Sequence, residues 1–571
     1  MWVNQHKSLF DCRDARFCVS TFIFIWFIVN LLQGIFTEIQ EDEAYYALYG
    51  EHLAWGYYDH PPMVGLMAFL SSTLFSGTLG VRFFTIIASC LSLWVMWKIA
   101  DQVRNDSKKS PVLFFVVAFS IVMFNIYGFV TTPDASLILF SALFLLVYQR
   151  YLAEKTWKNA LLMGLTMALM VYSKYHAFLL LGLVVLSNLK LLKDGKFWMA
   201  CLLALALLTP HILWQVNNDF PSIRYHLLGR SEPFRWSYLI EYLPNQLLIF
   251  NPFTFVAVVY VLFKHKTNSD FDRGLRFILV GFFFFFWLMA FRGHVEPHWT
   301  IVCVIPIVVL IYTRALIDEK LMKYTKFVIL PSLLLVLAFR ILLLTPWADR
   351  FGYHGKEPYY KAIEQIAGDR PVVFRGSFQQ PALYHYFTGK ESSSLKSYYD
   401  RKTQYDLWLF DKAWIGKPVF VCGTLNERSE VYHVGDVAVE GYLTNHFQSA
   451  NRLVTTFCIT NAKATGTPVF HHGDTIQVDF TIFNPCDEAI HFHDKDFGMC
   501  IKAQYMLSND FTFCFYDDIG LLLPQASYQG HLYTIVEDQV ATGANRFALG
   551  IGDRISSFVT EEHQQKVIIK E

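Results

Sequence analysis

No charge imbalance marks this chain: 48 Lys and Arg stand against 48 Asp and Glu in 571 residues, so global electrostatics makes no claim on nucleic acid or acidic partners. Cys-x-x-Cys pairs and zinc-type spacings are missing among the ten cysteines, which leaves a metal staple without support. Five of them, Cys422, Cys458, Cys486, Cys500 and Cys514, fall in the C-terminal part. Five is odd, so at least one thiol there stays unpaired or pairs elsewhere, and disulfides remain open. Internal repeats and heptads are lacking, and the one low-complexity tract is the phenylalanine run Phe282 to Phe286, which reads as lipid-facing or bundle-packing helix. Charged residues make up only 17% of the chain.

What the chain has instead is apolar sequence. Hydrophobic residues account for 54% and aromatics for 17%, far too much for one soluble domain of this length. The composition predicts a polytopic α-helical membrane protein. Lys7, Arg13 and Arg16 precede an apolar run from Phe17 of about the ~20 residues that span a bilayer. A basic-then-apolar start also fits a signal peptide, but Thr37-Glu-Ile-Gln40 offers no small-residue cleavage site, so a retained first helix is expected. Apolar segments follow at 79–98, 111–131, 134–151, 158–174, 176–192, 197–214, 244–263, 274–291, 299–314 and 326–345. With 18–37 they suggest about eleven transmembrane helices.

Threaded alternately, the loops sort by charge. Lys98, Arg104, Lys108 and Lys109, then Arg150, Lys155 and Lys158, then Lys190, Lys193 and Lys196, then Lys264, Lys266, Arg273 and Arg276, then Arg314, Lys320, Lys323 and Lys326 all fall on the side of the N-terminus, which the positive-inside rule makes cytoplasmic. The opposite loops carry Glu41-Asp-Glu43, Thr132-Pro-Asp134, Ser173-Lys-Tyr-His176, the stretch from Asn217 to Tyr242 and Arg292-Gly-His-Val-Glu-Pro-His-Trp299. The unusual residues share the outer face. Met63 to Phe75 is apolar but too short to cross, so it reads as interfacial or re-entrant, and Glu43 to Ala54 has the spacing of a surface helix.

The character changes at Thr345-Pro-Trp347. The expected division is a transmembrane domain over 1–345, a small α/β unit over 346–425 and a β-sandwich accessory domain over 426–571, the last two extracytoplasmic. A helix is expected around Tyr359 to Ile366, with strands at Pro371-Val-Val-Phe374 and Pro418-Val-Phe-Val421. The alternation from Gly473 to Pro485 is that of a sandwich strand.

The candidate chemistry lies in the outer loops, and each residue has a plain alternative. Asp42 and Glu43 at a helix start can serve only its dipole, yet three carboxylates in a row at a membrane edge exceed one cap's need. As chemistry, Asp42 with Glu43 beside it is a base that deprotonates an acceptor hydroxyl. Tyr57-Tyr-Asp-His-Pro-Pro62 can be a rigid turn, or it can present Tyr58, Asp59 and His60 to a substrate, with His60 donating to a phosphate. Tyr45 on the surface helix joins that substrate-binding set. Asp134 is a helix-start carboxylate on the same face. Lys174 can snorkel or act as a phosphate counter-charge. His294, Glu296 and His298 would meet at one metal only in an extended loop, and a hydrogen-bonding wall fits them equally, with Arg292 beside them. Arg224, Arg230 and Arg235 are either interfacial basics or a phosphate clamp. No metal ligands are assigned, and a divalent cation stays open.

Asp42-Glu43, Tyr45-Tyr46 and then Asp59-His60-Pro61-Pro62 resemble the first outer loop of the polyprenyl-phosphate-sugar glycosyltransferases of the GT-C class. The resemblance is nearest to bacterial members related to protein O-mannosyltransferases and the lipid A aminoarabinose transferase. It spans roughly Phe17 to Leu344, with further matches at Thr132-Pro-Asp134 and Ser173-Lys174. It implies transfer of a sugar from a polyprenyl-phosphate carrier to a lipid, glycan or protein acceptor at the outer face of a plasma (inner) membrane, with inversion. By the same likeness Asp42 is the general base, Glu43 its partner, Asp134 a second acid and Lys174 a phosphate neighbour. One departure stands out: relatives often have lysine before the double proline, where this chain has His60, only partly charged at neutral pH.

Two other readings compete. A transporter or flippase would also carry intramembrane charges, although the lack of inverted repeats and the large outer domain count against it. A membrane anchor for the sandwich would make Asp42, Asp134 and Lys174 dispensable.

Overall fold

The apolar segments fall largely on helices in the computed structural model, which describes residues 14–103, 109–226, 234–395, 402–423, 429–449, 452–462, 466–492, 500–505, 512–515, 519–552 and 564–571. The chain forms two compact units, Met1–Gly355 and Lys356–Glu571.

Among the described residues of the first unit, six helices are long and apolar enough to cross a membrane: Ala15–Phe36, Leu79–Val103, Pro133–Ala153, Gly195–Asn217, Pro297–Ala315 and Glu319–Leu342. Trp236–Phe250 and Pro252–Lys264 pass that test as a pair bent by 99°. The bend has a local cause. Asn251 adopts φ 65° ahead of Pro252, its side-chain oxygen accepts from the Phe253 amide, and its Nδ2 donates to the Ser120 carbonyl and the Ser332 hydroxyl. The 111–131 segment is likewise broken, at Ile121, into Pro111–Ser120 and Val122–Ile126. Met63–Ser72 is a separate short helix packed on Glu41–Glu51.

Burial sorts the helices into layers. Pro297–Ala315 is enclosed by the bundle, whereas Ala15–Phe36, Gly195–Asn217 and Glu319–Leu342 are mostly uncovered despite their apolar sequences. Phe263 is 90% exposed. So much uncovered hydrocarbon side chain is at home in lipid, not water, and the first unit is a multi-pass membrane bundle.

The second unit opens with a five-stranded sheet in the order Ser392–Leu395, Val372–Arg375, Val419–Cys422, Val437–Thr444, Glu430–Val434. The first three strands are parallel, as the helical crossover Gln379–Thr388 requires, and the last two close as an antiparallel hairpin. The α/β part therefore runs through Thr444, beyond residue 425; the alternation of 430–444 marks a strand pair but not the sheet it joins. Glu357–Ala367 is the expected helix. Beyond lie an antiparallel sheet of Val454–Ile459, Thr475–Phe483 and Ser527–Ile535 and a second sheet built on Cys500–Tyr505, Gly543–Gly552 and Gln564–Lys570. Ile476, Val478, Phe480 and Ile482 point inward to meet Ile501, Leu549, Ile551 and Val567 in one core, and the 475–483 strand shows the alternation read from its sequence. Cys422, Cys458 and Cys486 are free thiols; the side chains of Cys500 and Cys514 lie outside the described set.

Candidate active site

Glu41–Glu51 begins with Glu41, Asp42 and Glu43 in its first turn, where carboxylates suit the positive end of the helix dipole. A helix turns about 100° per residue, so Asp42 and Glu43 face different ways. Asp42 is exposed and Glu43 is fully buried.

Both oxygens of Glu43 are occupied. Oε1 accepts from Arg82 Nε at 2.8 Å and from the Thr131 amide at 2.7 Å, while Oε2 accepts from Arg82 Nη2 at 2.5 Å and from the Gln40 amide at 2.9 Å. Arg82 spends its other N–H groups on the carbonyls of Gly34, Thr37 and Glu38 and on the Thr37 hydroxyl. This is a buried bidentate pair with its remaining donors satisfied. It ties the end of Ala15–Phe36, the start of Leu79–Val103 and the loop at Thr131 to the Asp42 helix. The sequence reading paired Glu43 with Asp42 in the reaction; the structure commits Glu43 to Arg82 instead, because helical geometry turns it inward.

Thr131 leads into Pro133–Ala153, and Asp134 stands in the first turn of that helix. Lys174, where Trp157–Ser173 ends in extended backbone, places Nζ 2.8 Å from both Asp134 oxygens. Both residues are buried. His298 Nε2 approaches the same carboxylate to 3.8 Å.

The Tyr57–Pro62 stretch is a tight turn, closed by the Tyr57 amide donating to the His60 carbonyl at 2.9 Å. Tyr49 donates from Oη to Asp59 Oδ1 at 2.7 Å, and its ring stacks on Tyr57 with centroids 3.8 Å apart. A polar chain holds the turn from outside. His211 Nδ1 lies 2.6 Å from the Trp55 carbonyl, Ser222 Oγ donates to the Tyr57 carbonyl, and His226 Nε2 lies 3.2 Å from the Asp59 carbonyl. Gln215 links Tyr175 to Ser222. Gly56 is needed for this approach, since a Cβ there would sit 2.5 Å from the Trp214 ring and 2.9 Å from His211 Nδ1.

Electrostatics shows which groups share one neighbourhood. The Tyr46 phenol is held well above its usual range, first by burial and then by the charges of Asp42, Asp59 and Asp134. The Tyr127 ring lies edge-on to His298, with centroids 5.9 Å apart. The Tyr46 phenol stays protonated and available as a donor. Burial pushes the His60 imidazole down to about 3, with Asp59 opposing and Lys174 adding to the shift. His60 is therefore neutral, not the partial cation its sequence position suggested, and its Nε2 lies 3.2 Å from Tyr46 Oη.

Of the sequence-predicted residues, Asp42, Asp59, His60, Asp134, Lys174 and His298 thus belong together. Tyr45 packs behind them against the rings of Tyr46 and Tyr49, and Tyr58 against Tyr225. The 292–298 loop does not gather its side chains on one metal. His294 Nε2 is 3.9 Å from Glu296 in an exposed pair, and Pro297 starts a 3-10 turn that sends His298 toward Asp134. Among the described residues, no group of three or more His, Cys, Asp or Glu side chains is arranged to hold a metal ion. Arg224 and Arg292 are exposed, Arg235 lies over the Tyr238 ring, and Arg230 falls outside the described residues. Arg82 was missed although a lone arginine in an apolar helix is itself a signal. Tyr46 entered only through the Tyr45-Tyr46 pair of the first-loop motif, and Tyr127 gave no signal, since aromatics are abundant throughout.

Comparison with known proteins meets this site. Residues 59–214 match the family described as dolichyl-phosphate-mannose-protein mannosyltransferase, a range that holds Asp59, His60, Asp134 and Lys174. The lipid A galacturonosyltransferase RgtD of Rhizobium johnstonii is 22% identical over 270 residues, 44% of this chain and 54% of that protein. The chain thus spans about half the length of that curated relative. ArnT from Cupriavidus metallidurans, solved bound to undecaprenyl phosphate, superposes with a TM-score of 0.57 at 13% identity, over 75% of this chain and 98% of that one. Its apo structure gives 0.56 at 14% identity with the same coverage. The chain has the ArnT fold, a polytopic helical bundle followed by a β-rich region, and it is similar to the ArnT and protein mannosyltransferase group that its first-loop motif resembles.

Proposed function

We propose that the chain is an integral-membrane glycosyltransferase that moves a sugar from a polyprenyl-phosphate carrier to an acceptor at the outer face of a plasma (inner) membrane. The observation that carries this reading is the exposed Asp42 carboxylate and the buried Asp134–Lys174 pair, with Asp42 and Asp134 both acting on the Tyr46 phenol. An acceptor hydroxyl gives its proton to Asp42, and its oxygen attacks the anomeric carbon. The bond from that carbon to the phosphate oxygen breaks on the opposite side, so configuration inverts and polyprenyl phosphate leaves with the electron pair. Lys174 meets the growing phosphate charge, with the Tyr46 and Tyr127 hydroxyls and neutral His60 as further donors. Glu43 and Arg82 hold the Asp42 helix, while Asp134 holds Lys174. No step requires a divalent cation.

A membrane-borne donor accounts for a base at the edge of a helical bundle, where an isoprenoid tail stays in hydrocarbon while its head group reaches Asp42. A lipid acceptor fits the same place and is favoured by the likeness to RgtD. About eleven spans, a catalytic face opposite the lysine-rich loops and an extracytoplasmic accessory role for the sandwich complete the reading.

The test is mass spectrometry of envelope lipids and glycans from cells with the wild-type protein, with Asp42→Asn and without the protein. The wild type should add a glycosyl mass increment, and Asp42→Asn should cut its rate by about 10²–10⁴-fold, the usual worth of a general base. An unchanged increment with Asp42→Asn would remove Asp42 from the mechanism. Loss of lipid translocation with transfer intact would favour a transporter. For sidedness, a cysteine introduced near Glu51 should label from outside the cell, and labelling near Lys108 instead would invert the topology.

A further inference from the structure

Arg340, on Leu330–Leu342, is another buried guanidinium, and among the described residues its side-chain hydrogen bonds go to neutral amides. Nη2 donates to Asn30 Oδ1 at 2.8 Å, Nε to Gln33 Oε1 at 3.2 Å and Nη1 to Asn125 Oδ1 at 3.3 Å. Its carbon centre lies 5.4 Å from the Trp26 ring and 5.7 Å from the Phe129 ring. A charge held in an apolar bundle by neutral amides and two rings is costly to keep, and a well-packed apolar side chain would be the cheaper occupant.

What this guanidinium touches points to its use. Phe129 is fully buried and also receives Arg82, whose carbon centre is 5.6 Å from the same ring. Phe129 is therefore shared by the arginine that grips Glu43 and by Arg340. Two residues on, Thr131 donates its amide to Glu43, and Asp134 follows in the next turn. Gly128, just before Phe129, lies so close to the first helix that a Cβ would fall 2.8 Å from both Asn30 Oδ1 and the Trp26 ring. Its carbonyl accepts from Ser89, which in turn accepts from Trp26 Nε1. The planar fork of Arg340 thus fixes the first helix at Asn30 and Gln33, the short helix Val122–Ile126 at Asn125 and the 128–131 loop at Phe129. A point-charge lysine cannot reproduce such a fork.

We propose that Arg340 is a positioning residue for the reaction at Asp42: acting through Phe129 and Arg82, it sets where the Glu43 anchor and Asp134 stand relative to one another. This rests on the glycosyltransferase reading above. Misplacement of reacting groups by about 1 Å costs on the order of 10²-fold in rate.

The test uses the full-length protein in membranes, measuring transfer of the wild-type mass increment and binding of undecaprenyl phosphate, both per folded molecule. Arg340→Met should lower kcat about a hundredfold while undecaprenyl-phosphate affinity stays within about twofold. Arg340→Lys should recover only part of the rate. Phe129→Leu should lower kcat as well, and the double variant should be no slower than the slower single one, since both break the same linkage. If Arg340→Met does not accumulate, Asn30→Ala, which removes one acceptor and strands no carboxylate, should show the same split at about fivefold. Rates within twofold of wild type would overturn the proposal. So would additive losses in the double variant, or a parallel fall in rate, lipid affinity and thermal stability, which is what a merely structural residue gives. A wild-type protein that adds no increment, with Asp42→Asn silent, would instead sink the glycosyltransferase reading.

Discussion

Glu43→Gln removes one charge and almost no volume from a place where neither partner touches solvent: the Arg82 and Glu43 side chains are both fully buried. The substitution leaves Arg82 facing the carbonyls of Gly34, Thr37 and Glu38 and one amide that offers an acceptor on one side only. Breaking a buried pair from one end costs about 3–5 kcal/mol, most of it the penalty of the stranded charge. Removing both charges relieves that penalty. Glu43→Gln with Arg82→Met should therefore be more stable than the sum of the single losses predicts, by about 2–3 kcal/mol. Thermal unfolding in detergent, followed by size exclusion of the soluble fraction, measures all four proteins. The assay separates the two neighbouring carboxylates, since Asp42→Asn should leave stability nearly unchanged while removing transfer. A Glu43→Gln protein within about 0.5 kcal/mol of wild type, or strict additivity in the double variant, would refute the assignment of Glu43 as an anchor.

Other outcomes follow from the same geometry. His60 is neutral when folded, with its pKa down at about 3, whereas unfolded histidine titrates near 6.5; the unfolded chain binds the extra proton between those values. Stability should thus fall as pH drops below about 6.5, by roughly 2 kcal/mol at pH 5, and His60→Gln should flatten that part of the pH–stability curve. An unaltered slope would mean that another group titrates there. Gly56→Ala forces a methyl group against Trp214 and His211; it should cost about 1–3 kcal/mol and slow transfer by displacing Asp59 and His60, which unfolding and rate measurements on one sample would separate. Lys174→Gln should weaken undecaprenyl-phosphate binding, and unchanged binding would take Lys174 out of phosphate recognition.

Much of the bundle was legible because its signals are local. Apolar runs, Pro133 at a helix start and the Gly473–Pro485 alternation each report their own element. The site was legible in part. Asp42, Asp134 and Lys174 stood out as charges at the ends of apolar segments, and they do lie in one neighbourhood. Glu43 was misjudged because its partner Arg82 is distant in sequence, and only helix phase decides which of two adjacent carboxylates turns inward. His60 was taken for a partial cation because burial is invisible in a four-residue motif. The 292–298 loop divides because Pro297 starts a turn, an outcome that residue spacing alone does not fix.

The Asp134–Lys174 contact also bears on turnover. An ammonium already held by two carboxylate oxygens at 2.8 Å is not a vacant anion trap; in the mechanism proposed above, an incoming phosphate would share it with Asp134, and that same carboxylate would displace the departing phosphate. On that mechanism Asp134 would be a resident competitor that caps affinity for charged lipid at both ends of the cycle. Such an exchange would favour quick release of spent carrier over tight retention, which suits the proposed transferase, whose product would also be a membrane-bound anion.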